Sequence, residues 1–171
     1  MVLRPRAVFG AGDRAIFPRI LALAQRGWFP LIGDGAARID VTCVGNVAAA
    51  VEACLQPGIP TDGRAFNITN AEPMAVRELL QQLFTALDLK VRMIPLPRPL
   101  AVALGSLAEL VAYARPGRPE PRLSRYGVGV LGYSQTLDIS AARTQLGYVP
   151  TISVAEGILQ FARWWRSNER H

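Results

Sequence analysis

The chain has 171 residues, half of them hydrophobic, and a formal net charge of +6. That is enough apolar material for one ordinary domain with a buried core, and it excludes a disordered chain. The positive charge is almost all scattered arginine, Lys90 being the only lysine, with no zinc-finger spacing and no aromatic-and-basic sheet motif, so the composition argues against nucleic-acid binding. Cys43 and Cys54 lack metal-ligand spacing and read as small buried thiols of a reducing, cytoplasmic compartment. The one histidine is the terminal His171, which supports neither histidine catalysis nor a metal site. No secretory leader is read, because Arg4 and Arg6 are followed by Gly10 and Asp13 instead of an apolar run.

Taken in order, Ala7 to Phe9 is a short apolar run behind Arg4-Pro5-Arg6, and Pro5 is confined to a strand's beginning or edge because it has no N–H to donate. Ile16, Ile20, Leu23 and Ala24 share one helical face, and Gly27 stops that helix. Trp28 to Ile32 reads as extended, Gly33-Asp34-Gly35 as a turn, and Ile39 to Val44 as a strand with Ile39, Val41 and Cys43 on one side. Asn46 caps a helix through Leu55 whose alanines suit close packing on a sheet. A loop from Gln56 to Gly63 leads to a strand at Ala65 to Thr69. Val76, Leu79, Leu80, Leu83 and Leu87 form the clearest apolar stripe, although Ala75 at the cap leaves Glu78 as half of a capping box.

Val91 to Ile94 is extended and ended by Pro95, Pro97 and Pro99. Leu100 to Ala114 is an apolar helix, shorter than the roughly 20 residues a bilayer span needs; burial is its default and a peripheral membrane contact the alternative. Arg115 to Arg125 is a loop or arm. A small helix from Asp138 to Leu146 is capped by Ser140 and closed by Gly147. The final helix opens on Ser153 and Glu156, a complete capping box, and turns Val154, Ile158, Phe161, Ala162 and Trp165 inward. Strands alternating with helices predict an α/β fold.

Gly10-x-Gly12-x-x-Ala15 has the form of a dinucleotide fingerprint, with Asp34 near the place of a ribose-binding acid. Two features oppose that reading. A first Rossmann strand is apolar throughout, whereas this one begins Arg4-Pro5-Arg6. Pro18 also interrupts the helix that would hold a pyrophosphate.

Leu3-Arg4-Pro5-Arg6-Ala7-Val8-Phe9-Gly10-Ala11-Gly12-Asp13, then Ile32-Gly33-Asp34-Gly35 and Asp40-Val-Thr-Cys-Val-Gly-Asn46-Val-Ala-x-Ala50, resemble the second half of the extended short-chain dehydrogenase/reductases. The likeness is greatest to the NAD-dependent epimerase/dehydratase branch that includes 3β-hydroxysteroid dehydrogenases. Gly63-Arg-Ala-Phe-Asn-Ile-Thr69, Asp138-Ile-Ser-Ala-Ala-Arg143, Leu146-Gly147-Tyr148-x-Pro150 and Ser153-x-x-Glu156-Gly157 extend it over nearly the whole chain in the right order.

The resemblance implies the C-terminal, substrate-binding part of an NAD(P)-binding Rossmann-type fold, a single partial domain over residues 1–171 without the N-terminal dinucleotide-binding βαβ units. Family members hold the pyrophosphate on an upstream G-x-x-G-x-x-G loop and use a Tyr-x-x-x-Lys pair. Neither is found here, since Lys90 is preceded four residues earlier by Ala86, so the chain reads as a C-terminal fragment with no catalytic residue assigned. By the same resemblance Pro5, Arg6, Ala7 and Val8 lie beside the nicotinamide of NAD or NADP, and Phe9 enters the substrate pocket. Arg38 corresponds to an arginine on substrate phosphates, a role its guanidinium fork suits, or else is a surface arginine in a hairpin. Asn46 replaces the aspartate of many sugar-nucleotide members, its own role being the helix cap, and Asp34 is a turn residue.

The function implied is oxidoreduction at a secondary hydroxyl or ketone, with a steroid-like or otherwise hydrophobic substrate favoured. A nucleotide-sugar epimerase or dehydratase fragment and a non-catalytic binding module are the alternatives. The partners implied are a small-molecule substrate and an upstream Rossmann half, whose absence would leave a sheet edge and apolar surface open.

Overall fold

The computed structural model describes residues 1–59, 62–115 and 124–168. Most of the arm from Arg115 to Arg125, and His171, lie outside the described residues. In chain order the elements are β1 (Val2–Pro5), β2 (Val8–Phe9), α1 (Phe17–Ala24), β3 (Trp28–Ile32), β4 (Arg38–Ile39), β5 (Thr42–Cys43), α2 (Val44–Cys54), β6 (Ala65–Ile68), β7 (Met74–Ala75), α3 (Val76–Ala86), β8 (Arg92–Leu96), α4 (Arg98–Ala114), α5 (Arg125–Gly132), α6 (Ser140–Leu146) and α7 (Val154–Asn168). They form two compact units. The first comprises Met1–Pro18, Asp40–Met74 and the chain from Thr136; the second comprises Arg19–Ile39 and Ala75–Gln135.

In the first unit β1 runs parallel to β6 and β2 parallel to β5. Val2 N donates to Arg64 O at 2.7 Å and Arg6 N to Ile68 O at 3.1 Å, so Leu3 and Pro5 turn their backbone groups to the other edge. Pro5 therefore removes nothing from the ladder: it is the last residue of β1 with its nitrogen on the outer edge, the edge position expected. That outer edge of β1 has no strand beside it among the described residues, and Val2, Arg4 and Pro5 are exposed. The strand expected from Ile39 to Val44 is broken into β4 and β5, but Ile39, Val41 and Cys43 are all buried, as its alternation requires.

Ala50, Phe66, Ile68, Ile139, Ala142, Leu146 and Tyr148 make one core of this unit. The Tyr148 hydroxyl donates to Thr69 O at 2.9 Å. Burial is the main cause that pushes its phenol up to about 12, above the ordinary value of 10.0. Because the folded value lies above the unfolded one, its contribution to stability is whole below pH 10 and lost as pH rises toward 12. Alkaline unfolding followed by circular dichroism should shift to a narrower pH response in Tyr148→Phe, with a stability loss near neutrality of about 1 kcal/mol.

Gly147 ends α6 in the left-handed conformation, φ 64°, as expected. At the other end Ser140 is the first residue of the helix and not its cap: Ile139 stands in the cap position without a side-chain bond, and Asp138 Oδ1 accepts from the Ser140 hydroxyl at 2.5 Å and its N–H at 2.8 Å, which holds the carboxyl below the usual range. At α7, Ser153 Oγ accepts the Glu156 N–H at 3.1 Å as the capping box predicts, while Glu72 Oε2 takes the Val154 N–H at 3.1 Å. Above β2 and β5, a Cβ on Gly157 would lie 2.9 Å from Phe9 Cε2 and 3.0 Å from Cys43 Sγ, so α7 rests on the strands at backbone distance. Phe17 joins the two layers, with ring centroids 5.1 Å from Phe9 and 4.9 Å from Phe161.

In the second unit β3 and β8 are parallel from Trp28↔Arg92 to Ile32↔Leu96. Arg92 N donates to Gly27 O and Gly33 N to Leu96 O, an alternation that points Pro30 and Pro95 away from the ladder. Pro95 thus sits inside β8 and does not terminate it. The side-chain cap missing at Ala75 is replaced by backbone: Val76 N donates to Ala37 O at 2.9 Å and Arg77 N to Gly35 O at 3.0 Å. The α3 stripe is buried, with Phe84 6.0 Å from Phe29. Expected burial of α4 is only half realised. Ala101, Gly105 and Ala112 are buried, but Leu100, Leu104, Leu107, Leu110 and Val111 are exposed.

Candidate functional site

Pro5 to Val8 form the junction between β1 and β2, and the break between those strands has a local cause. Ala7 adopts φ 45°, in the left-handed region that alanine rarely enters. Thr42 on β5 holds it there. The Thr42 hydroxyl lies 2.5 Å from Arg6 O and 3.1 Å from Ile68 O, its single proton going to the nearer oxygen, while Thr42 N donates to Ala7 O at 3.2 Å. Pro5 is exposed, Arg6, Ala7 and Val8 are half-buried, and Phe9 turns its ring into the core against Phe17. The junction is a strained, half-buried backbone turn.

Beyond Phe9 the chain enters the Gly10 loop. Gly10 has φ 141°, and a Cβ there would stand 2.7 Å from Val44 Cγ1. Asp13 closes the loop on itself: Oδ1 accepts the N–H groups of Ala15 at 2.7 Å and Ile16 at 3.0 Å, and Oδ2 that of Phe17 at 2.9 Å. The Phe17 N–H opens α1 and the other two lie in the turn leading into it, the helix end at which a fingerprint loop would seat a pyrophosphate. A carboxylate of the chain already occupies them, which removes the Rossmann reading of Gly10-x-Gly12. Asp13→Ala should lower stability by about 0.5–2 kcal/mol in urea titration, the usual loss for a helix cap.

Asn46 is not a cap. α2 starts two residues earlier, with Cys43 in the cap position, and Asn46 lies inside the helix, fully buried. Its Nδ2 donates to Asn70 Oδ1 at 2.8 Å and Ile152 O at 2.7 Å, and its Oδ1 accepts Thr151 N and Ile152 N, each at 3.0 Å. Asn70 completes the set, accepting Cys43 N at 2.8 Å and donating to Ile152 O at 2.9 Å. Nearby, buried Asp40 accepts Leu137 N at 2.7 Å. Thr42, Asn70 and Glu72 escaped the sequence reading. A threonine inside an apolar strand was the one available signal, and nothing local marks the other two.

Arg38 belongs to the second unit and is exposed on β4. Its N–H donates to Ser134 Oγ at 3.0 Å and its carbonyl accepts Gln135 N at 2.8 Å, β4 pairs with β7, and Ile39 is bridged to Gln135, so among the described residues Arg38 does not lie in a hairpin. Asp34 is the turn residue expected: Oδ1 accepts the Ala36 N–H at 3.0 Å, and that bond is the first cause holding its carboxyl below the usual range. Among the described residues no group of three His, Cys, Asp or Glu side chains is placed to hold a metal, and no helix is long and apolar enough to cross a membrane.

The family model described as 3-beta hydroxysteroid dehydrogenase/isomerase matches residues 1–98, more than half of the chain. The chain belongs to this family. It is 34% identical over 98% of its length to uncharacterised protein YbjS of Escherichia coli, and 33% identical over 92% to the 2-alkyl-3-oxoalkanoate reductase of Stenotrophomonas maltophilia. It is also 33% identical over 96% to the sterol-4-alpha-carboxylate 3-dehydrogenase, decarboxylating, of Saccharomyces cerevisiae. These matches take in 50%, 49% and 49% of the relatives, so the chain spans about half the length of the curated relatives it matches, their C-terminal half. Among solved structures, UDP-glucuronic acid 4-epimerase from Bacillus cereus in complex with NAD superposes with a TM-score of 0.65 at 19% identity, covering 98% of this chain and 44% of that one. The fold is accordingly that of the C-terminal part of the extended short-chain dehydrogenase/reductases, an NAD(P)-using family.

Proposed function

We infer that the chain supplies the substrate-side half of an NAD(P)-dependent oxidoreductase that interconverts a secondary hydroxyl and a ketone. The observation that carries this reading is the left-handed Ala7 turn clamped by Thr42, strain kept at the position where the resemblance puts the nicotinamide. The residues present fit one end of a dinucleotide only. Backbone of Pro5, Arg6, Ala7 and Val8 would hold the carboxamide, whereas the Gly10 loop, sealed by Asp13, would not hold the pyrophosphate. The cofactor, when bound, supplies hydride transfer. Thr42 keeps the turn in shape, and Phe9, anchored by Phe17, fixes the turn's far end from beneath.

The names of two relatives narrow the substrate class. A 2-alkyl-3-oxoalkanoate and a sterol 4-carboxylate acted on at position 3 both place the reacting oxygen β to a carboxylate on an apolar body. We assign this chain the same class, with Arg38 as the guanidinium for the carboxylate. The nucleotide-sugar reading rests on likeness of fold at 19% identity and is the weaker one. The test is a fusion of this chain behind the N-terminal half of YbjS. The fusion should oxidise NAD(P)H with a 2-alkyl-3-oxo acid and ignore UDP-glucose, and Arg38→Ala should raise KM with little change in kcat. A folded fusion that binds NADH and turns over only the sugar nucleotide would reverse the assignment. The 171-residue chain by itself should not bind NADH tightly, and tight binding would refute the half-site reading.

A further inference from the structure

We propose, on the half-site reading above, that the outer edge of β1 takes up an N-terminal dinucleotide-binding half as a separate polypeptide, so that the 171-residue chain rebuilds the cofactor site in trans. Among the described residues β1 is paired on one side only, with β6 parallel to it from Val2↔Ala65 to Pro5↔Ile68. On the other side Leu3 presents its N–H and its carbonyl, while Pro5 presents a carbonyl alone. A strand laid along this edge donates twice and accepts once.

The sheet face beside this edge is open as well. Phe66 and Ile68 of β6 are buried with Ala50 of α2 and with Ala142 and Leu146 of α6, and Leu3 packs against the same cluster. Side chains alternate across a strand, so Val2, Arg4 and Ala65 lie on the opposite face, and all three are exposed, Val2 by 48%. Parallel sheets are ordinarily covered on both faces, and a parallel neighbour comes with a crossover helix that packs on one of them. A βα unit therefore closes the edge and shields Val2 and Ala65 together.

Direction decides which partner fits. Ligands of open α/β sheets bind outside the carboxyl ends of the strands, and β1 runs at its carboxyl end into the left-handed Ala7 turn. A strand docked in parallel ends beside that same turn, which brings its own cofactor loops to the Pro5–Val8 backbone. The curated relatives continue upstream for about as long again as the part this chain matches, which is the half that holds such strands. A second copy of the chain fits less well. Two β1 edges meeting about a two-fold axis run antiparallel, and the ladder they share contains Pro5 twice.

The test is co-expression of the full chain, carrying an affinity tag, with the N-terminal half of YbjS as an untagged polypeptide. The two should purify together in equal amounts, sediment as one complex and bind NADH. Val2→Glu with Ala65→Lys sets opposite charges side by side on an exposed face, so the circular dichroism spectrum of the chain should not change. The complex should nevertheless weaken by roughly tenfold or more, because docking carries both charges out of water. Leu104→Ser with Leu107→Ser, exposed on α4 of the second unit, should leave the complex as it is. No co-purification, a half that stays insoluble beside the chain, or full binding by the Val2/Ala65 variant overturns the proposal. So does a self-pair of the chain that excludes the half and is dissolved by the same variant, which would give the edge to a second copy. Association is read without a substrate. Halves that bind NADH together but do not reduce a 2-alkyl-3-oxo acid would uphold docking and sink the substrate reading, while a fusion active on that acid beside halves that never meet would do the reverse.

Discussion

Asn46→Asp should be among the most damaging single substitutions in the chain, lowering stability by about 3–5 kcal/mol, a cost set by a buried charge without a partner. The aspartate would still accept the N–H groups of Thr151 and Ile152. Where Asn46 donates, however, a second carboxylate oxygen would face Asn70 Oδ1 and Ile152 O, both acceptors. Asn70 cannot turn over to help, because its Oδ1 also accepts the Cys43 N–H. In a chain of this size such a loss lowers the melting midpoint by roughly 10 °C. The defect should shrink as pH falls toward about 4, since a protonated carboxyl can donate again. An unchanged melting curve for Asn46→Asp would mean that position 46 is not held dry among these partners. The result bears on function as well: an aspartate of the sugar-nucleotide type is excluded here by the partners on Asn70 and Ile152, independently of any substrate.

Phe161→Ala is expected to cost about 3–5 kcal/mol, the range for emptying a buried aromatic site. Phe161 is fully buried, its ring 4.9 Å from Phe17 at 77° and 5.6 Å from Trp165. The cavity cannot collapse easily. Gly157 one turn earlier already brings α7 to backbone distance from Phe9 and Cys43, so the helix has no room to sink further. Urea titration measures the loss, and near-ultraviolet circular dichroism should weaken because Trp164 and Trp165 both stack on this ring. Phe161→Leu should recover most of the stability. Leu159→Ala, on the exposed side of the same helix, should stay within about 0.5 kcal/mol of wild type. A Phe161 variant no worse than the Leu159 control would show that α7 does not hold β2, and with it the Ala7 turn, in place.

Local order is what the amino-acid sequence determined unaided. The stripe from Val76 to Leu83 gave α3, glycines at 27 and 147 stopped two helices, and Ser153 opened α7, because helical period, left-handed glycine and hydroxyl caps act within a few residues of themselves. The ordered motifs also carried the family. Tertiary structure alone decided the rest. Asn46 read as a cap because its true partners, Thr151 and Ile152, lie more than a hundred residues away, and no local pattern encodes a hydrogen bond across that distance. Asp13 could as well have left its loop open, and only its rotation onto three amides closed it. In sequence α4 carries its large apolar residues on one face and Glu109 on the other, so polarity alone would have buried the leucines. Close approach to α5 admits only the face of Ala101, Gly105 and Ala112, and the leucines were put outside by packing volume, not by polarity.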